Sequence, residues 1–184
     1  LFNDISSIDQ YQRSLEEGLD PDEALRIVNL RSRDNARTPF PWDGSRYGGF
    51  SQSRPWLPMT MEYPVVHAEA QSGVQDSVLE FYKSMIQFRQ HGPYRDCLIY
   101  GSIRPIECSG NVIAYERQKD DVTIWCYYNF SHTGTQERLP DDAAGAVGIW
   151  GNDTDAEIRD GMLCLKPIQA ILLKQDVPQS TTHS

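Results

Sequence analysis

One short stretch decides how this 184-residue chain is interpreted: Ser32-Arg33-Asp34-Asn35-Ala36-Arg37-Thr38-Pro39-Phe40-Pro41-Trp42-Asp43. It brings two arginines, two acids, an amide and two aromatic rings into one segment. A guanidinium offers a planar fork of donors that suits carboxylates and sugar hydroxyls. Trp42 and Phe40 add flat apolar faces. The segment therefore predicts part of a pocket for a polar, ring-shaped ligand.

The region that follows this stretch, as far as Tyr63, is rich in proline, glycine and aromatic residues. It shows neither a helical nor a strand-like hydrophobic period. Compact domains seldom carry such a long loop unless it has a function. We therefore expect this loop to belong to a functional site.

Helical periodicity dominates the first part of the chain. The pattern predicts three helices, which run from Ser7 to about Gly18, from Asp20 to about Arg31, and from Asp76 to about Gln90. For the second helix, Asp20 is the expected N-cap, Pro21 suits the first turn, and Glu23 completes a capping box.

Beyond Gly92 the period becomes strand-like. The predicted strands are Cys97–Tyr100, Ile103–Glu107, Val112–Arg117, Val122–Phe130, Met162–Leu165 and Ile168–Lys174. Because Val122 to Tyr128 is apolar on both faces, it is predicted to be a central strand. Leu139 to Asp160 is expected to be a loop-rich excursion. Short strands with frequent turns indicate an antiparallel sandwich or barrel.

These patterns predict an α+β protein of two parts. Residues 1–92 form the helical part with the long loop, residues 93–176 form an all-β module, and residues 177–184 form a polar tail.

The composition narrows the function classes. Hydrophobic residues make up 39% of the chain and the net charge is −9. A surface that acidic argues against nucleic-acid and anionic-membrane partners, since phosphate binding needs a basic surface, and the simplest role of the charge is solubility. No apolar run approaches the ~20 residues that span a bilayer. We expect a cytoplasmic protein.

The histidines and cysteines predict no metal site and no cofactor. The four cysteines lack C-x-x-C spacing, and the four histidines are isolated, so neither a zinc site nor a nucleophilic triad is indicated. The cysteines in apolar runs are interpreted as small buried hydrophobes, although their even number leaves disulfides open.

The acids near the arginine stretch admit two interpretations. A retaining glycosidase needs two carboxyl groups about 5 Å apart, but no spacing here shows that two acids meet. Hydrogen-bonding support of the loop by Asp34, Asn35, Trp42 and Asp43 is therefore favoured. Arg33 and Arg37 could form a solvated face. They stand among Asp34, Asn35, Pro39 and Trp42 rather than in a charged run, and this favours a functional role for at least one of them.

The stretch Ser32 to Asp43 resembles the S-R-D-N-A-R-T-P-M-Q-W-D segment of α-glucosidases in the α-amylase superfamily, glycoside hydrolase family 13. Its similarity is to the oligo-1,6-glucosidase, maltase, sucrose-isomerase and trehalose-6-phosphate hydrolase branch. Further segments match in order: Gly48-Gly49-Phe50, Pro55-Trp56-Leu57-Pro58, Asp76 to Arg89, and Leu98 to Gly101. Departures include Phe40-Pro41, where Met-Gln is usual, and residues 59–62.

The resemblance implies a (β/α)8 barrel followed by a β-sandwich. On that basis, residues 1–92 would supply the last helices and final βα loop of the barrel, at the active-site rim. Arg33 would hold the glucosyl unit of an α-glucoside substrate. Arg37 is the less favoured binder and would support the loop with Asp34 and Asn35.

The resemblance also places the catalytic nucleophile, the acid/base and the third carboxylate upstream of Leu1, so no residue of this chain is assigned a catalytic role. The expected partner is a missing N-terminal barrel segment. The parent protein would be a retaining α-glucosidase, and the isolated chain is predicted to be inactive. The alternative is a non-catalytic carbohydrate-binding or structural β-sandwich module.

Overall fold

The computed structural model describes residues 3–175, and the predicted tail, residues 177–184, lies outside them. The chain divides into two compact units, Leu1–Ser84 and Met85–Ser184. This division falls within one helix, whereas the sequence places the boundary at the end of that helix. Within residues 3–175, no helix is long and apolar enough to cross a bilayer.

The three longest helices of residues 3–175 follow the hydrophobic period of the sequence. They are α1 (Ile5–Glu16), α2 (Pro21–Arg31), α3 (Ala68–Gln71), α4 (Val78–His91) and α5 (Arg95–Tyr100). Short 3-10 turns occupy Arg33–Ala36, Arg46–Gly49 and Asp141–Ala143. The three predicted helices correspond to α1, α2 and α4, whereas α3 and α5 are not predicted from that period.

The start of α2 confirms the predicted N-cap and corrects the capping box. The Asp20 carboxylate accepts hydrogen bonds from the backbone N–H groups of Asp22 and Glu23, and Pro21 occupies the first turn. The Glu23 side chain does not complete the box; it accepts two hydrogen bonds from Arg26 on the next turn. The guanidinium of Arg26 thus takes the Glu23 carboxylate that the capping box would have paired with the backbone N–H of Asp20.

The residues that helices α1 and α2 bury have small side chains. Ala24 and Val28 of α2 are almost completely buried, as is Ser7 of α1. Larger apolar side chains of the same helices remain open to solvent: Ile5 is 73% and Leu30 is 71% exposed. The first unit therefore buries only part of the apolar surface that its helical pattern provides.

The sequence predicts a strand at Cys97–Tyr100, and this prediction is wrong, since the segment lies in α5. Cys97 and Leu98 are buried against the sheet, together with Ile124 and Leu172. A short apolar run does not distinguish a strand from one turn of a helix. Here the helix places two successive apolar residues on the face that the sheet covers.

The second unit contains two antiparallel sheets. The strands are β1 (Ser102–Ile106), β2 (Val112–Lys119), β3 (Val122–Asn129), β4 (Thr135–Arg138), β5 (Ala146–Gly151), β6 (Glu157–Arg159), β7 (Met162–Leu165) and β8 (Ala170–Gln175). The larger sheet has the order β1-β2-β3-β8-β5, and the smaller has the order β4-β7-β6. The sequence does not predict β4, β5 and β6, and the last two lie in the segment expected to be a loop.

Strand β3 is the centre of the larger sheet, as predicted from its apolar residues. On one face, Trp125 and Tyr127 pack with Ile171 and Leu173 of β8 against Leu163 of the smaller sheet. On the other face, Ile124 and Cys126 pack with α5, and Phe88 of α4 stacks on Trp150. The sandwich and the helical layer therefore share one strand. All four cysteines are free thiols.

Strand β1 forms one edge of the larger sheet. Pro105 stands within it, opposite Tyr115 of β2. Its neighbour Arg104 donates two hydrogen bonds, of 2.7 and 2.8 Å, to the carboxylate of Glu116, which lies directly across the ladder and is buried. The cross-strand pair fixes the register where the sheet ends.

The core between the two sheets predicts that substitutions on the neighbouring strands β8 and β5 differ in their effect on the free energy of unfolding. Leu173→Ala removes a fully buried side chain and is expected to lower the free energy of unfolding by about 2–5 kcal/mol, because a cavity remains in the core. Val147→Ala, on β5 and 43% exposed, is the control and should cost less than about 1 kcal/mol. Urea unfolding followed by tryptophan fluorescence measures both values; equal costs would contradict the assignment of this core.

Candidate functional site

The arginine stretch is anchored by an ion pair to the start of α1. The Nε of Arg33 lies 3.0 Å and its Nη2 lies 2.5 Å from Oδ1 of Asp4, and Nη2 also donates to the hydroxyl of Ser6. Asp4 is only 3% exposed, whereas the Arg33 side chain is 59% exposed. The guanidinium therefore neutralises a buried carboxylate with one edge and presents the other edge to solvent.

The second oxygen of Asp4 extends this contact to the end of α2. Oδ2 of Asp4 accepts a 2.8 Å hydrogen bond from the Ser7 hydroxyl, which in turn lies 3.0 Å from the hydroxyl of Ser32. Ser32 also accepts from the backbone N–H of Asp34 and so caps the 3-10 turn that carries Arg33. One buried carboxylate and two buried hydroxyls thus position the start of the loop.

Asp34 and Asn35 make hydrogen bonds that link the loop to neighbouring segments. Oδ2 of Asp34 accepts hydrogen bonds from the backbone N–H groups of Asn3, at 2.6 Å, and Asp4, at 3.1 Å. Asn35 donates from its amide to the carbonyl of Asn29 on α2, at 2.6 Å. Both side chains tie the loop to the two helices.

Arg37 is the less engaged of the two arginines. Its Nη1 lies 3.9 Å from Oδ1 of Asp4, and its side chain is 46% exposed. The two guanidinium groups therefore converge on Asp4, but only Arg33 makes close hydrogen bonds to it. Arg37 retains more donors for a ligand.

The end of the stretch forms a tight turn around Asp43. The Asp43 carboxylate accepts from the N–H and hydroxyl of Ser45. A Cβ on Gly49, whose φ is +64°, would lie 2.4 Å from Oδ2 of Asp43, so only glycine fits there. The backbone N–H of Trp42 donates to the carbonyl of Gly48 at 2.7 Å. Asp43 thus holds the turn, while the Trp42 ring is 58% exposed.

Hydrogen bonds control the acidity of both carboxylates. The pKa of Asp4 is lowered, first by the hydrogen bond from Arg33 and further by the Ser7 hydroxyl, against the opposing effect of burial. The pKa of Asp43 is lowered, first by the Ser45 hydroxyl. Both groups are ionised at neutral pH, and Asp4 is occupied by its partners. The site can bind hydroxyls or anions, but its acids are not poised to donate a proton.

Sequence reasoning found the loop and its polar residues but missed Asp4, Ser7 and Ser32 as its supports. The ion pair joins residues 29 positions apart in the chain. The spacing of residues in the sequence does not reveal the role of Asp4, because only the packing of α1 on α2 brings Arg33 close to it. Among residues 3–175, no three His, Cys, Asp or Glu side chains form a group that could hold a metal ion.

The profile of the family described as "Alpha amylase, catalytic domain" matches residues 5–100, which is just over half of the chain. The match includes α1, α2, the arginine stretch and the helices as far as α5.

Individual proteins are similar over a wider range. The trehalose-6-phosphate hydrolase of Bacillus subtilis (strain 168) is 30% identical over 183 residues, which cover 96% of this chain and 32% of that protein. The oligo-1,6-glucosidase of Parageobacillus thermoglucosidasius is 33% identical over 142 residues, 76% of this chain and 25% of that enzyme. The crystal structure of isomaltulose synthase from Protaminobacter rubrum superposes with a TM-score of 0.79 at 31% identity, covering 96% of this chain and 32% of that one. The chain spans about a third of the length of such relatives.

The Asp4–Arg33 pair predicts an acid-sensitive first unit. Because the pKa of Asp4 is lowered in the folded chain, the stabilisation is complete above the ordinary carboxyl value of 3.8 and is lost as the pH falls below it. Asp4→Asn should therefore lower the thermal midpoint at pH 7, and its difference from the wild type should shrink towards pH 3.

Asp9→Asn provides the control, since Asp9 is an exposed acid of α1, the helix that Asp4 precedes. It should leave the midpoint and its pH dependence close to those of the wild type. Circular dichroism of the helical signal measures all three proteins. A difference between Asp4→Asn and wild type that stays constant from pH 7 to pH 3 would contradict the role given to the ion pair.

Proposed function

The chain belongs to the alpha-amylase family, and we propose that it is the C-terminal portion of a retaining α-glucosidase that acts on short α-glucosides. The names of its relatives support this substrate class, since a trehalose-6-phosphate hydrolase and an oligo-1,6-glucosidase both act on small glucosides. The observation that carries the proposal is the arginine stretch, held by Asp4 at an exposed rim within the part of the chain that the family profile matches.

The first unit is proposed to complete a (β/α)8 barrel with a preceding segment. Its helices leave aliphatic side chains uncovered, among them Ile5 of α1, Leu30 of α2 and Val78 of α4, which is 66% exposed. Exposed aliphatic side chains in such number are expected where another part of the protein covers them. The missing barrel strands would supply the cover, and they are the partner proposed for this chain besides the substrate.

No residue of the chain is assigned a catalytic role. A retaining mechanism needs a nucleophile and an acid/base about 5 Å apart on either side of the scissile bond. The acids of the candidate site are engaged elsewhere, since Asp4 binds Arg33, Asp34 binds backbone N–H groups and Asp43 holds a turn. The catalytic carboxylates are therefore proposed to belong to the preceding segment.

The two arginines are proposed as the sugar-binding groups of this chain. The sequence favours Arg33, and the geometry supports a contribution from both side chains. Arg33 fixes the loop on Asp4 with one edge of its guanidinium, and Arg37, whose nearest approach to Asp4 is 3.9 Å, makes no close hydrogen bond to that carboxylate. A guanidinium fork can donate to adjacent hydroxyls of one glucosyl unit.

The alternative is a non-catalytic β-sandwich module, which the antiparallel sheets of the second unit would suit. The extent of the similarity favours the enzyme, because an enzyme's sequence aligns with 96% of this chain, sandwich and helical unit together. The cytoplasmic location stays a prediction.

The isolated chain is expected to be inactive, because it brings no free carboxylate pair to the candidate site. Purified chain should release no glucose from isomaltose, maltose or trehalose-6-phosphate above the buffer blank, while an intact relative serves as the positive control. The coding sequence upstream of Leu1 should encode barrel strands with the missing acids. Turnover by the chain alone, or an upstream region without such a frame, would overturn the proposal.

Matched substitutions test the two arginines. Arg33→Lys and Arg37→Lys keep the charge but lose the fork, so each should weaken binding of methyl α-glucoside by about tenfold. Only Arg33→Lys should also lower the thermal midpoint, since Asp4 loses its second hydrogen bond. Arg26→Lys, at an exposed arginine of α2, is the control.

Binding is followed by chemical-shift changes of the arginine Nε–H signals. If both variants bind the glucoside as tightly as Arg26→Lys, the arginine stretch is not the sugar-binding element.

A further inference from the structure

A small polar cavity lies in the second unit, beside the turn that joins β2 to β3. Its volume is about 100 Å³. Since one water of the liquid occupies about 30 Å³, the cavity has room for about three waters or for one organic molecule of similar size. The turn, strand β3, the 3-10 turn 141–143 and the end of β8 supply its lining, which consists of Asp121, Thr123, Trp125, Asp142, Lys174 and Gln175.

The indole of Trp125 is the buried polar group of this cavity. Its side chain is 1% exposed, and its Nε1 has no hydrogen-bond partner among residues 3–175. The residue opposite it on β2 is Glu116, whose carboxylate is bonded to Arg104 instead. Buried polar groups are nearly always paired, so an unpaired one beside a cavity indicates an occupant. Because an indole N–H can only donate, that occupant must carry a hydrogen-bond acceptor.

Two carboxylates of the same cavity are also unpaired. Within the described part of the chain, neither Asp121 nor Asp142 forms an ion pair or a side-chain hydrogen bond. The basic residue of the lining, Lys174, is engaged elsewhere: its Nζ lies 5.8 Å from the centroid of the Tyr94 ring and donates to the carbonyl of Gln175. The cavity therefore carries two negative charges that no cation of the described residues contacts.

These open groups narrow the chemistry of the occupant. The carboxylates favour a cation, and the indole N–H requires an acceptor, which neither a bare metal ion nor an alkylammonium group offers. A metal ion is disfavoured further, because residues 3–175 bring no three His, Cys, Asp or Glu side chains together. A hydroxyl next to an ammonium group meets both requirements, since its oxygen accepts while the ammonium donates.

We propose that this cavity binds a small free amino alcohol of the size of ethanolamine. The ammonium group donates to Asp121 and Asp142 in charge-assisted hydrogen bonds, and the hydroxyl oxygen accepts from the indole N–H of Trp125. The hydroxyl proton then bonds to the side-chain oxygen of Thr123 or Gln175. All these residues belong to the second unit, so the site does not depend on the function proposed for the arginine stretch.

The same chemistry separates a free amino alcohol from a lipid headgroup. In a headgroup the hydroxyl oxygen is esterified to phosphate, so the hydroxyl proton is lost and an anion is added. That anion would lie beside the carboxylates of Asp121 and Asp142, where like charges repel. Phosphoethanolamine is therefore expected to bind at least about tenfold more weakly than ethanolamine.

Titration of the complete chain with ethanolamine, followed by the indole N–H signals in NMR spectra, tests the proposal. The signal of Trp125, assigned with Trp125→Phe, should shift and saturate. If that variant does not fold, Trp42→Phe, Trp56→Phe and Trp150→Phe assign the signal by elimination. Ethylamine lacks the acceptor and ethylene glycol lacks the charge, so each should bind at least about tenfold more weakly.

Matched substitutions test the two carboxylates. Asp121→Asn and Asp142→Asn each remove one charge, and each should weaken ethanolamine binding by about tenfold. Asp141→Asn is the control, because Asp141 is an exposed acid of the same 3-10 turn and does not line the cavity. It should change the affinity by less than about twofold, since solvent and salt screen an exposed charge.

Each outcome decides the proposal. Selective binding of ethanolamine that both Asp121→Asn and Asp142→Asn weaken supports the site, whatever the arginine stretch binds. Equal binding of ethylene glycol, equal binding of phosphoethanolamine, or an affinity that neither substitution changes overturns it. A Trp125 signal that ethanolamine does not shift also overturns it and assigns the cavity to water.

Discussion

A single buried carboxylate organises the unit that carries the candidate site. Asp4 receives Arg33 on one oxygen and Ser7 on the other, and through Ser7 it reaches Ser32 at the end of α2. A buried charge is tolerated only when it is paired and hydrogen-bonded, so the start of α1, the end of α2 and the arginine loop must assemble together. The open edge of Arg33 is a consequence of that assembly, and the geometry of the rim depends on it.

The second unit depends on a different constraint, namely that β3 is covered on both faces. Its odd-numbered residues, such as Trp125 and Tyr127, face the smaller sheet, and Ile124 and Cys126 face the helical layer. Dispersion and burial of apolar area dominate around β3, while the buried carboxylates of this unit, Glu116 and Glu137, are paired with Arg104 and Ser109. The first unit is thus specified by a polar network around Asp4, in which each group needs its partner. The second unit is specified mainly by close packing, which tolerates volume-conserving substitutions. This difference matches the roles proposed for the two units, ligand binding for the first and stability for the second.

The sequence predicts those features of the structure that neighbouring residues determine, and it does not predict those that depend on residues distant in the chain. The central position of Val122–Tyr128 follows from its continuous apolar residues, and the cap at Asp20 follows from its immediate neighbours; both are confirmed. The sequence does not predict β5, because its partner β8 lies in a distant part of the chain, nor β6, because it is a strand of only 3 residues beside its hairpin partner β7. The helix at Cys97–Tyr100 was missed because tertiary packing decides between conformations for a short apolar run. At the site, the loop residues were visible in the motif, whereas Asp4 was not, because only packing brings it to Arg33.

The proline in strand β1 has a consequence for how this molecule meets its neighbours. A strand at a sheet border displays unpaired amide groups that invite another chain to join. Pro105 lacks one of those amides, and the paired charges of Arg104 and Glu116 stand beside it. Growth of the larger sheet past β1 is therefore discouraged, and this border is protected against the addition of a strand from another chain.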